Sequence, residues 1–523
     1  MAGILSFNSH KFNRILDKYG LEQAWFKVLA TKLSKNDEFT YVLKHPNFKD
    51  VEPFNEDIIK ELSIGEIGVL YEYSLAKVNA DKRKDNGQFF TPDDVAKIMI
   101  ERAKLFPDGK WLDPCSGIGN LSWHLTNAQC DKEAFLKDKL ILSDVDELAL
   151  FIARVLFTMS FQRGDKNLFN NIENSFVAFD FLSVADKGES TLFPHNELTK
   201  IPKHDFVIVN PPYLATNADN RFETEKCADL YAYFLENIIK TSKGFISVTP
   251  QSFTNASKFY SLRKLLLDNY SNLTIYNFDN VPDNLFHGIK FGSKNSNKAN
   301  SIRAAIMVAL PTKGKHRITS LLRWQTKERK ELLGDIDLFL SEVHLTPKFF
   351  PKVNKVFEPI FQEVKDNKTL ASLITSKKTA YPLFIPSSPR YFIPALKSPV
   401  KRASIKTIYF NSEKDREFAY ILINSSLMYW WWRVRDGGMT LSLETIESMP
   451  LVDFEINEDV VFKLSQSETK NRIYKMNAGA IQENVKHPKA LLNSVNLCVI
   501  PKYNDKLMAV HENSELRQLK YIA

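Results

Sequence analysis

The chain has 523 residues, of which 44% are hydrophobic and 25% are charged, the ordinary balance of a folded globular protein. This length corresponds to roughly three or four domains, and no apolar run approaches the roughly 18 residues that a membrane helix needs. The four cysteines are scattered without a CxxC pair, which argues against a disulfide framework or a zinc site and fits a reducing cytosol. Residues 1–11 lack the pattern of a secretion signal, so we expect no export.

The net charge of +8 is unevenly distributed along the chain. Residues 1–315 contain 39 basic and 39 acidic residues, whereas the remaining 208 residues contain 31 and 23. Residues 377–435 are the most basic stretch, with 11 basic against 3 acidic residues. A neutral part joined to a basic part is typical of a catalytic domain followed by a polyanion-binding domain. An ordinary solvated surface explains the same charge equally well.

Residues 1–82 are predicted to be helical, because apolar side chains recur at helical spacing in Phe12–Tyr19 and in Ile58–Ile67. A charged, glycine-containing connector, Asp81–Gly87, follows and predicts a loop. The N-terminal helices are therefore expected to form a region of their own ahead of the next part of the chain.

Residues 83–315 alternate between short apolar strands and helices. The predicted strands are Trp111–Leu112, Leu140–Leu142, Phe206–Val209, Phe245–Val248 and Ala304–Leu310. The predicted helices are Asp93–Phe106, Glu147–Met159, Leu230–Thr241 and Ser261–Tyr270. This alternation predicts an α/β domain with a doubly wound, mostly parallel sheet that binds ligands at the carboxyl ends of its strands. The pattern weakens after Lys313, so residues 316–523 are predicted to form a separate, mixed α+β domain.

A glycine-containing turn, Leu112–Asn120, follows the first predicted strand and precedes a helix. Its glycines let the backbone approach a ligand closely, and the helix N-terminus offers amide donors. The second strand ends in Asp144, at the position where sheets of this type bind a ribose diol. Asp180 follows another apolar stretch and is a candidate acceptor for an exocyclic amine. Each feature alone fits a plain turn or a solvated carboxylate. The glycine turn after the first strand and Asp144 at the end of the second strand together favour a ribose-containing ligand.

The strongest motif is Asn210-Pro211-Pro212-Tyr213, which directly follows the apolar strand Phe206–Val209. Its two prolines fix their φ angles and cannot donate hydrogen bonds, so the backbone is rigid. The Asn side-chain oxygen and a neighbouring carbonyl can together accept both hydrogens of one NH₂ group. The tyrosine offers a flat face for stacking a planar ring. The motif therefore predicts a site for a planar amine, which is adenine, cytosine or an amide.

These residues resemble the amino-group (N6-adenine) DNA methyltransferases that use S-adenosylmethionine. Asn210, Pro211, Pro212 and Tyr213 match the family's catalytic Asn/Asp-Pro-Pro-Tyr/Phe motif, and Phe286 stands where the family has an aromatic that stacks on the flipped base. By the same resemblance, the cofactor is bound by Gln88, Phe89, Phe90, Thr91, Pro92, Asp113, Pro114, Ser116, Gly117, Gly119, Asp144, Asp180 and Phe181. Cys115, within the glycine turn, is interpreted as a packing residue.

The order of the motifs, with cofactor motifs before the catalytic motif, is similar to that of γ-type enzymes, the type I modification subunits and the type II and IIG modification enzymes. The resemblance implies a Rossmann-like methyltransferase domain over residues 83–315 and a DNA target-recognition domain over residues 316–523. It implies double-stranded DNA as partner and a restriction-modification or related host-defence role in a bacterial or phage-host cytosol, associated with the nucleoid. A specificity or restriction subunit is left open as a further partner, and neither a metal site nor membrane contact is expected.

Basic residues interleaved with aromatics in the C-terminal part are expected to contact DNA, by neutralising phosphates or by reading guanine edges. These candidates are Arg390, Lys401, Arg402, Lys406, Arg433 and Arg435. Trp430–Trp432 lie among them and are interpreted mainly as core packing.

Several other functions share part of this pattern or could accompany it. A methyltransferase acting on RNA or on a release-factor glutamine also carries Asn-Pro-Pro-Tyr, but the glutamine enzymes are much shorter and RNA enzymes usually lack a motif like Gly87–Pro92. A modification subunit that is inactive without a separate specificity subunit stays open, whereas the intact Asn210–Tyr213 argues against a non-catalytic DNA-binding subunit. A fused nuclease is disfavoured, because the first 80 or so residues show no Pro-Asp…Asp/Glu-x-Lys arrangement.

Overall fold

A computed structural model describes residues 2–78, 91–183, 201–286, 302–389, 392–438, 440–477 and 479–522. The chain divides into two compact units. The first comprises Met1–Asn280, Asn284–His316 and Thr346–Lys348, and the second comprises Val281–Asp283, Arg317–Leu345 and Phe349–Ala523. The N-terminal helices lie in the first unit together with the sheet, and the assignment of functional domains stays a prediction. Four predicted site residues, Gln88, Phe89, Phe90 and Arg390, lie outside the described residues.

The first unit is built on a sheet with strand order β3-β2-β1-β4-β5-β7-β6. Its strands are β1 Trp111–Asp113, β2 Leu140–Asp144, β3 Phe176–Ala178, β4 Phe206–Val209, β5 Gly244–Pro250, β6 Leu273–Phe278 and β7 Ala304–Ala309. Strand β7 runs antiparallel to both its neighbours, while β1 to β5 are parallel. The prediction of a doubly wound, mostly parallel sheet is confirmed. The order reverses between β1 and β4, which is where such sheets open a ligand crevice.

The longer helices of the first unit are α1 Ala2–Tyr19, α2 Leu21–Leu33, α3 Ile64–Val78, α4 Asp93–Ala103, α5 Asn120–Asn127, α6 Glu147–Phe161, α7 Leu230–Thr241 and α8 Tyr260–Asn269, with short turns at Lys132–Ala134 and Leu168–Asn171. Helices α1 to α3 share one apolar core with α6, in which Phe12, Trp25 and Tyr71 pack with Ile152 and Val155. Full burial of a side chain of this kind contributes about 1.5–3 kcal/mol. The N-terminal helices are therefore held against α6 by hydrophobic packing.

The second unit is a mixed α+β structure, as predicted from the weaker pattern of its sequence. Its strands are β8 Arg317–Leu322, β9 Leu340–Glu342, β10 Ile374–Thr375, β11 Tyr381–Pro386, β12 Ile405–Phe410, β13 Arg472–Asn477 and β14 Ala480–Val485. Strands β10, β12 and β11 form a small antiparallel sheet, and β13 and β14 form a hairpin.

The longer helices of the second unit are α9 Glu358–Val364, α10 Glu413–Asn424, α11 Ser426–Arg435, α12 Glu458–Lys470, α13 Lys489–Val499 and α14 Glu515–Ile522, with shorter helices at Arg329–Gly334, Leu443–Glu447 and Asn504–Ala509. Trp430–Trp432 of α11 are all buried, which confirms their interpretation as core residues. Across the described ranges, no helix is both long enough and apolar enough to cross a membrane.

Candidate active site

A cavity of about 290 Å³ lies at the carboxyl ends of β1, β2 and β4. The predicted site residues that line it are Thr91, Asp113, Pro114, Ser116, Gly117, Asp144, Asp180, Phe181, Asn210 and Pro212. Its walls thus combine the glycine turn, the acidic ends of two strands and the start of the Asn-Pro-Pro-Tyr motif. The predicted residues Pro92, Gly119, Pro211, Tyr213 and Phe286 do not line this cavity.

The glycine turn is tied to the end of β2 by hydrogen bonds from two of its backbone amides. The Gly117 amide donates to Asp144 Oδ2 at 2.8 Å, and the Ser116 amide donates to the Ser143 carbonyl at 2.9 Å. Gly119 precedes α5 with φ +84°, and a Cβ there would lie 2.8 Å from the Phe157 ring and 2.9 Å from Leu142. Only glycine fits that conformation and space, so Gly119 shapes the turn and does not contact the cavity itself.

Two buried carboxylates form the acidic base of the cavity. Asp144 accepts hydrogen bonds from the Gly117 and Asp146 amides, and Asp113 Oδ2 accepts from Ser122 Oγ at 2.9 Å. Burial raises the pKa of Asp113 to about 7, and it also raises the pKa of Asp144. Because desolvation makes both negative charges costly, a ligand that brings hydrogen-bond donors or positive charge would be favoured here.

The Asn-Pro-Pro-Tyr turn is fixed by contacts to separate parts of the first unit. Asn210 Nδ2 donates to Thr91 Oγ1 at 2.9 Å, which sets the orientation of the amide. The Cys115 thiol donates to the Asn210 carbonyl at 3.3 Å, and the Tyr213 hydroxyl donates to the Val248 carbonyl at 2.8 Å. Burial raises the pKa of Cys115 well above its usual range, so the thiol is neutral and acts as a packing contact. The turn is therefore rigid before any ligand binds.

The segment after this turn pairs with the start of α7. The Leu230 amide donates to the Leu214 carbonyl and the Thr216 amide to the Ala228 carbonyl, both at 3.0 Å. This pairing brings Leu230 and Phe234 to the cavity wall, where Phe234 stacks on Phe181 with 5.5 Å between ring centroids. The start of α7 thus lines the cavity beside the Asn-Pro-Pro-Tyr motif.

The two rings expected to hold a target base contact each other in this structure. The Tyr213 and Phe286 centroids are 6.0 Å apart with an interplanar angle of 60°, and Phe286 is buried. A base stacked between these rings requires that they separate. Their role in base stacking stays a prediction.

Helix α3 contributes cavity residues that sequence reasoning missed, namely Gly68, Tyr71 and Glu72. The Tyr71 hydroxyl donates to Asp146 Oδ2 at 2.6 Å, and Asp146 Oδ1 caps α6 by accepting from the Leu148 and Ala149 amides. The sequence does carry a local signal for this helix cap, since Asp146 directly precedes α6 and Asp is a preferred residue at that position. Nothing in the sequence pattern connects Tyr71 to a residue 75 positions later.

The basic candidates of the second unit fall into two groups. Lys401 is exposed, and Arg402 and Lys406 are partly exposed. Arg433 is instead buried, with its guanidinium donating to the Leu321 carbonyl at 2.8 Å. Arg435 lies 3.9 Å over the Phe349 ring and pairs with Glu444 at 3.3 Å. The expectation that Arg433 contacts DNA therefore conflicts with its burial, and Arg435 is largely committed to contacts within its own unit.

Among the described residues, no group of three or more His, Cys, Asp or Glu side chains is arranged to hold a metal ion.

Residues 138–286 match the family model described as Eco57I restriction-modification methylase. The curated protein Type II methyltransferase M.BanIII of Aneurinibacillus aneurinilyticus is 29% identical over 244 residues, which are 42% of this chain and 40% of that protein. The chain thus matches less than half the length of this relative.

Two solved structures were matched at low sequence identity. The DrdV–DNA complex is 14% identical with a TM-score of 0.44, covering 74% of this chain and 47% of that one. A modification subunit of a putative type I restriction enzyme from Vibrio vulnificus YJ016 is 15% identical with a TM-score of 0.33, covering 54% and 55%. Residues 138–286, which contain β2 to β6 and the Asn210–Tyr213 motif, are therefore similar to the Eco57I restriction-modification methylase family.

Proposed function

We propose that the chain is a site-specific DNA adenine-N6 methyltransferase of a restriction-modification system, with S-adenosylmethionine as methyl donor. One observation carries the proposal. The rigid Asn210–Tyr213 turn and the acidic, glycine-lined ends of β1 and β2 share one cavity, in which Asn210 and Pro212 face the same space as Asp113, Asp144 and Gly117. A donor site and an amine-binding turn side by side are what transfer of a methyl group to an amine requires.

The cavity residues fit S-adenosylmethionine. Asp144 would accept from the ribose hydroxyls, Asp180 from the adenine amine, and the Phe181 ring would pack on the purine. The buried carboxylates of Asp113 and Asp144 suit a ligand with positive charge, since its charge would offset the cost of desolvation that raises their pKa values. When bound, the cofactor supplies a methyl group that is already activated on its sulfonium sulfur.

The protein's own contribution is to orient the target amine. The lone pair of an adenine N6 is delocalised into the ring, and accepting both amine hydrogens at Asn210 Oδ1 and the Pro211 carbonyl would localise it. The contact of Asn210 Nδ2 with Thr91 Oγ1 holds the amide ready for this role. Positioning of this kind can supply about 7–11 kcal/mol of the barrier reduction. A duplex adenine must be flipped out of the stack to reach the turn, at a cost of a few kcal/mol.

The proposal is tested by offering the full-length protein labelled S-adenosylmethionine with three acceptors: duplex DNA, RNA and a glutamine-bearing release factor. We expect label in DNA, at the N6 position of adenine after digestion to nucleosides. Label in RNA or protein alone would replace the proposal with one of its two alternatives. Label in DNA only after a specificity subunit is added would assign the chain as a modification subunit.

Tyr71→Phe is expected to weaken S-adenosylmethionine binding by roughly three- to tenfold, because it removes a hydrogen bond to the charged Asp146 beside the cavity. Calorimetric titration of the cofactor measures the effect. Tyr73→Phe is the matched control, since Tyr73 lies on the same helix but does not line the cavity. If both variants bind S-adenosylmethionine with the affinity of the wild type, the Tyr71 hydroxyl does not contribute to cofactor binding.

Lys401→Ala combined with Arg402→Ala is expected to weaken binding to all duplexes and to flatten its salt dependence. The log–log salt slope should fall by about 0.9 for each phosphate that is no longer neutralised. The matched control pairs Lys463→Ala with Lys502→Ala, two exposed lysines of the second unit outside the basic stretch. Filter-binding titrations at several salt concentrations measure the slope, and a wild-type slope in the first pair would mean that the basic stretch is only solvated surface.

A further inference from the structure

The β13–β14 hairpin of the second unit carries large apolar side chains in solvent. Tyr474, Met476 and Ile481 are 62%, 69% and 54% exposed. In the register of the hairpin, Met476 pairs with Ile481 and Tyr474 pairs with Glu483, so all three apolar residues lie on one face. We call this surface, defined by Tyr474, Met476 and Ile481, the hairpin face.

The base of the hairpin is anchored on the same side. Val485 is fully buried and packs with Leu396 and Val400. The Lys401 amide donates to Glu483 Oε2 at 2.9 Å, and the Glu483 amide donates to the Lys401 carbonyl at 2.9 Å. The hairpin is thus fixed to its unit at one end, while its other end presents the apolar residues to solvent. Clustered exposed apolar residues of this kind mark interaction surfaces.

Basic residues surround the anchored end. Lys401, Lys470 and Lys486 are exposed or partly exposed, as are Arg402 and Arg472. Glu483 lies on the same side of the hairpin as these apolar residues. Its carboxylate accepts from the Lys401 amide and lies 3.5 Å from the Arg472 guanidinium. An apolar tip with cations at its base is complementary to the major groove of DNA, which presents thymine methyl groups inside and phosphates along its rims.

We propose that the hairpin face is a duplex-DNA contact, in which the two-stranded ribbon enters the major groove and places Met476 and Ile481 against base edges. A two-stranded β-ribbon fits that groove, where the thymine methyl offers apolar contact. The cations at the base would then lie near the phosphates. This inference rests on the proposed DNA methyltransferase function, and it adds a contact surface that the charge pattern of the sequence does not show.

The test uses the full-length protein and a mixed-sequence DNA duplex, with affinity measured by filter binding across a salt series. Met476→Ser combined with Ile481→Ser should weaken binding by about tenfold or more at every salt concentration, because the apolar area that both side chains would bury against the bases is lost. The log–log salt slope should stay at the wild-type value, because no phosphate contact is removed. Affinity for S-adenosylmethionine should be unchanged, since the cavity lies in the other unit.

Two controls complete the design. Leu338→Ser combined with Phe462→Ser removes equally exposed apolar residues elsewhere in the second unit and should bind DNA as the wild type does. Met476→Leu combined with Ile481→Val keeps the apolar character and should bind within about twofold of the wild type.

Three outcomes would overturn the inference. Wild-type affinity in the serine variant would show that the hairpin face does not touch DNA. A salt slope lower than that of the wild type would show that the substitutions disturb the basic residues. A molar mass of the serine variant below that of the wild type in light scattering would assign the hairpin face to contact between copies of the chain. Failure of the wild-type protein itself to bind the duplex would instead overturn the proposed function.

Discussion

Asn210→Ala is expected to abolish methyl transfer while leaving S-adenosylmethionine binding nearly intact. In the proposed function the side-chain oxygen of Asn210 accepts from the target amine, whereas the proposed cofactor contacts are made by other lining residues of the cavity, at the ends of β1 and β2. Without one of the two acceptors, the N6 lone pair stays delocalised and the amine is unaligned, which removes much of the positioning contribution. The readout is incorporation of labelled methyl into DNA, alongside calorimetric binding of the cofactor.

Two further variants sharpen this prediction. Asn210→Asp keeps an acceptor oxygen and should retain part of the activity, and Asn217→Ala changes an exposed residue of the same loop and should behave as the wild type. Residual transfer above about a tenth of the wild-type rate in Asn210→Ala, a loss of only about 1.4 kcal/mol of barrier reduction, would contradict the assigned role.

Asp144→Ala should weaken S-adenosylmethionine binding at least tenfold. The carboxylate accepts from the Gly117 amide at 2.8 Å and from the Asp146 amide at 3.0 Å, so its removal leaves two donors at the cavity without their acceptor and also eliminates the proposed ribose interaction. A hydrogen bond to a charged group contributes about 1.5–3 kcal/mol, which is more than tenfold in affinity. Calorimetry on the full-length protein measures the loss.

Asp144→Asn separates the two contributions. The amide oxygen can still accept one backbone hydrogen bond, so this variant should keep the turn in place and lose less affinity than Asp144→Ala. Asp138→Ala, an exposed acid near the start of β2, is the matched control and should bind as the wild type does. Unchanged cofactor affinity in Asp144→Ala would refute the ribose assignment.

The parts of the fold that were predictable have strong local patterns. Strand β4 and helix α7 begin and end where the sequence predicts, because one is a continuous apolar run and the other has clear helical spacing. Strand β6, Leu273–Phe278, was missed, since Thr274 and Asn277 interrupt its apolar pattern although both are buried in the structure. Tertiary burial of polar residues in such a strand leaves no signal in a single sequence.

In the candidate site, too, local motifs were predictable and contacts that depend on tertiary packing were not. The motifs at the ends of β1, β2 and β4 were predictable because parallel strands bring their carboxyl ends to one edge. The contribution of Tyr71 was not, since it depends on packing of α3 against α6. The burial of Arg433 could not be predicted from the basic stretch, because a count of charged residues contains no information about burial. Helix α11 also carries three buried tryptophans, and this setting takes Arg433 into the interior, where the Leu321 carbonyl accepts its hydrogen bond.

The proposal that this chain methylates adenine N6 in DNA can be tested by sequencing DNA from cells that express the full-length protein. With detection of modified bases, we predict N6-methyladenine at one defined sequence, absent from cells that express Asn210→Ala at the same level. DNA without N6-methyladenine in the presence of folded protein that binds S-adenosylmethionine, or the same modification in the Asn210→Ala cells, would contradict it.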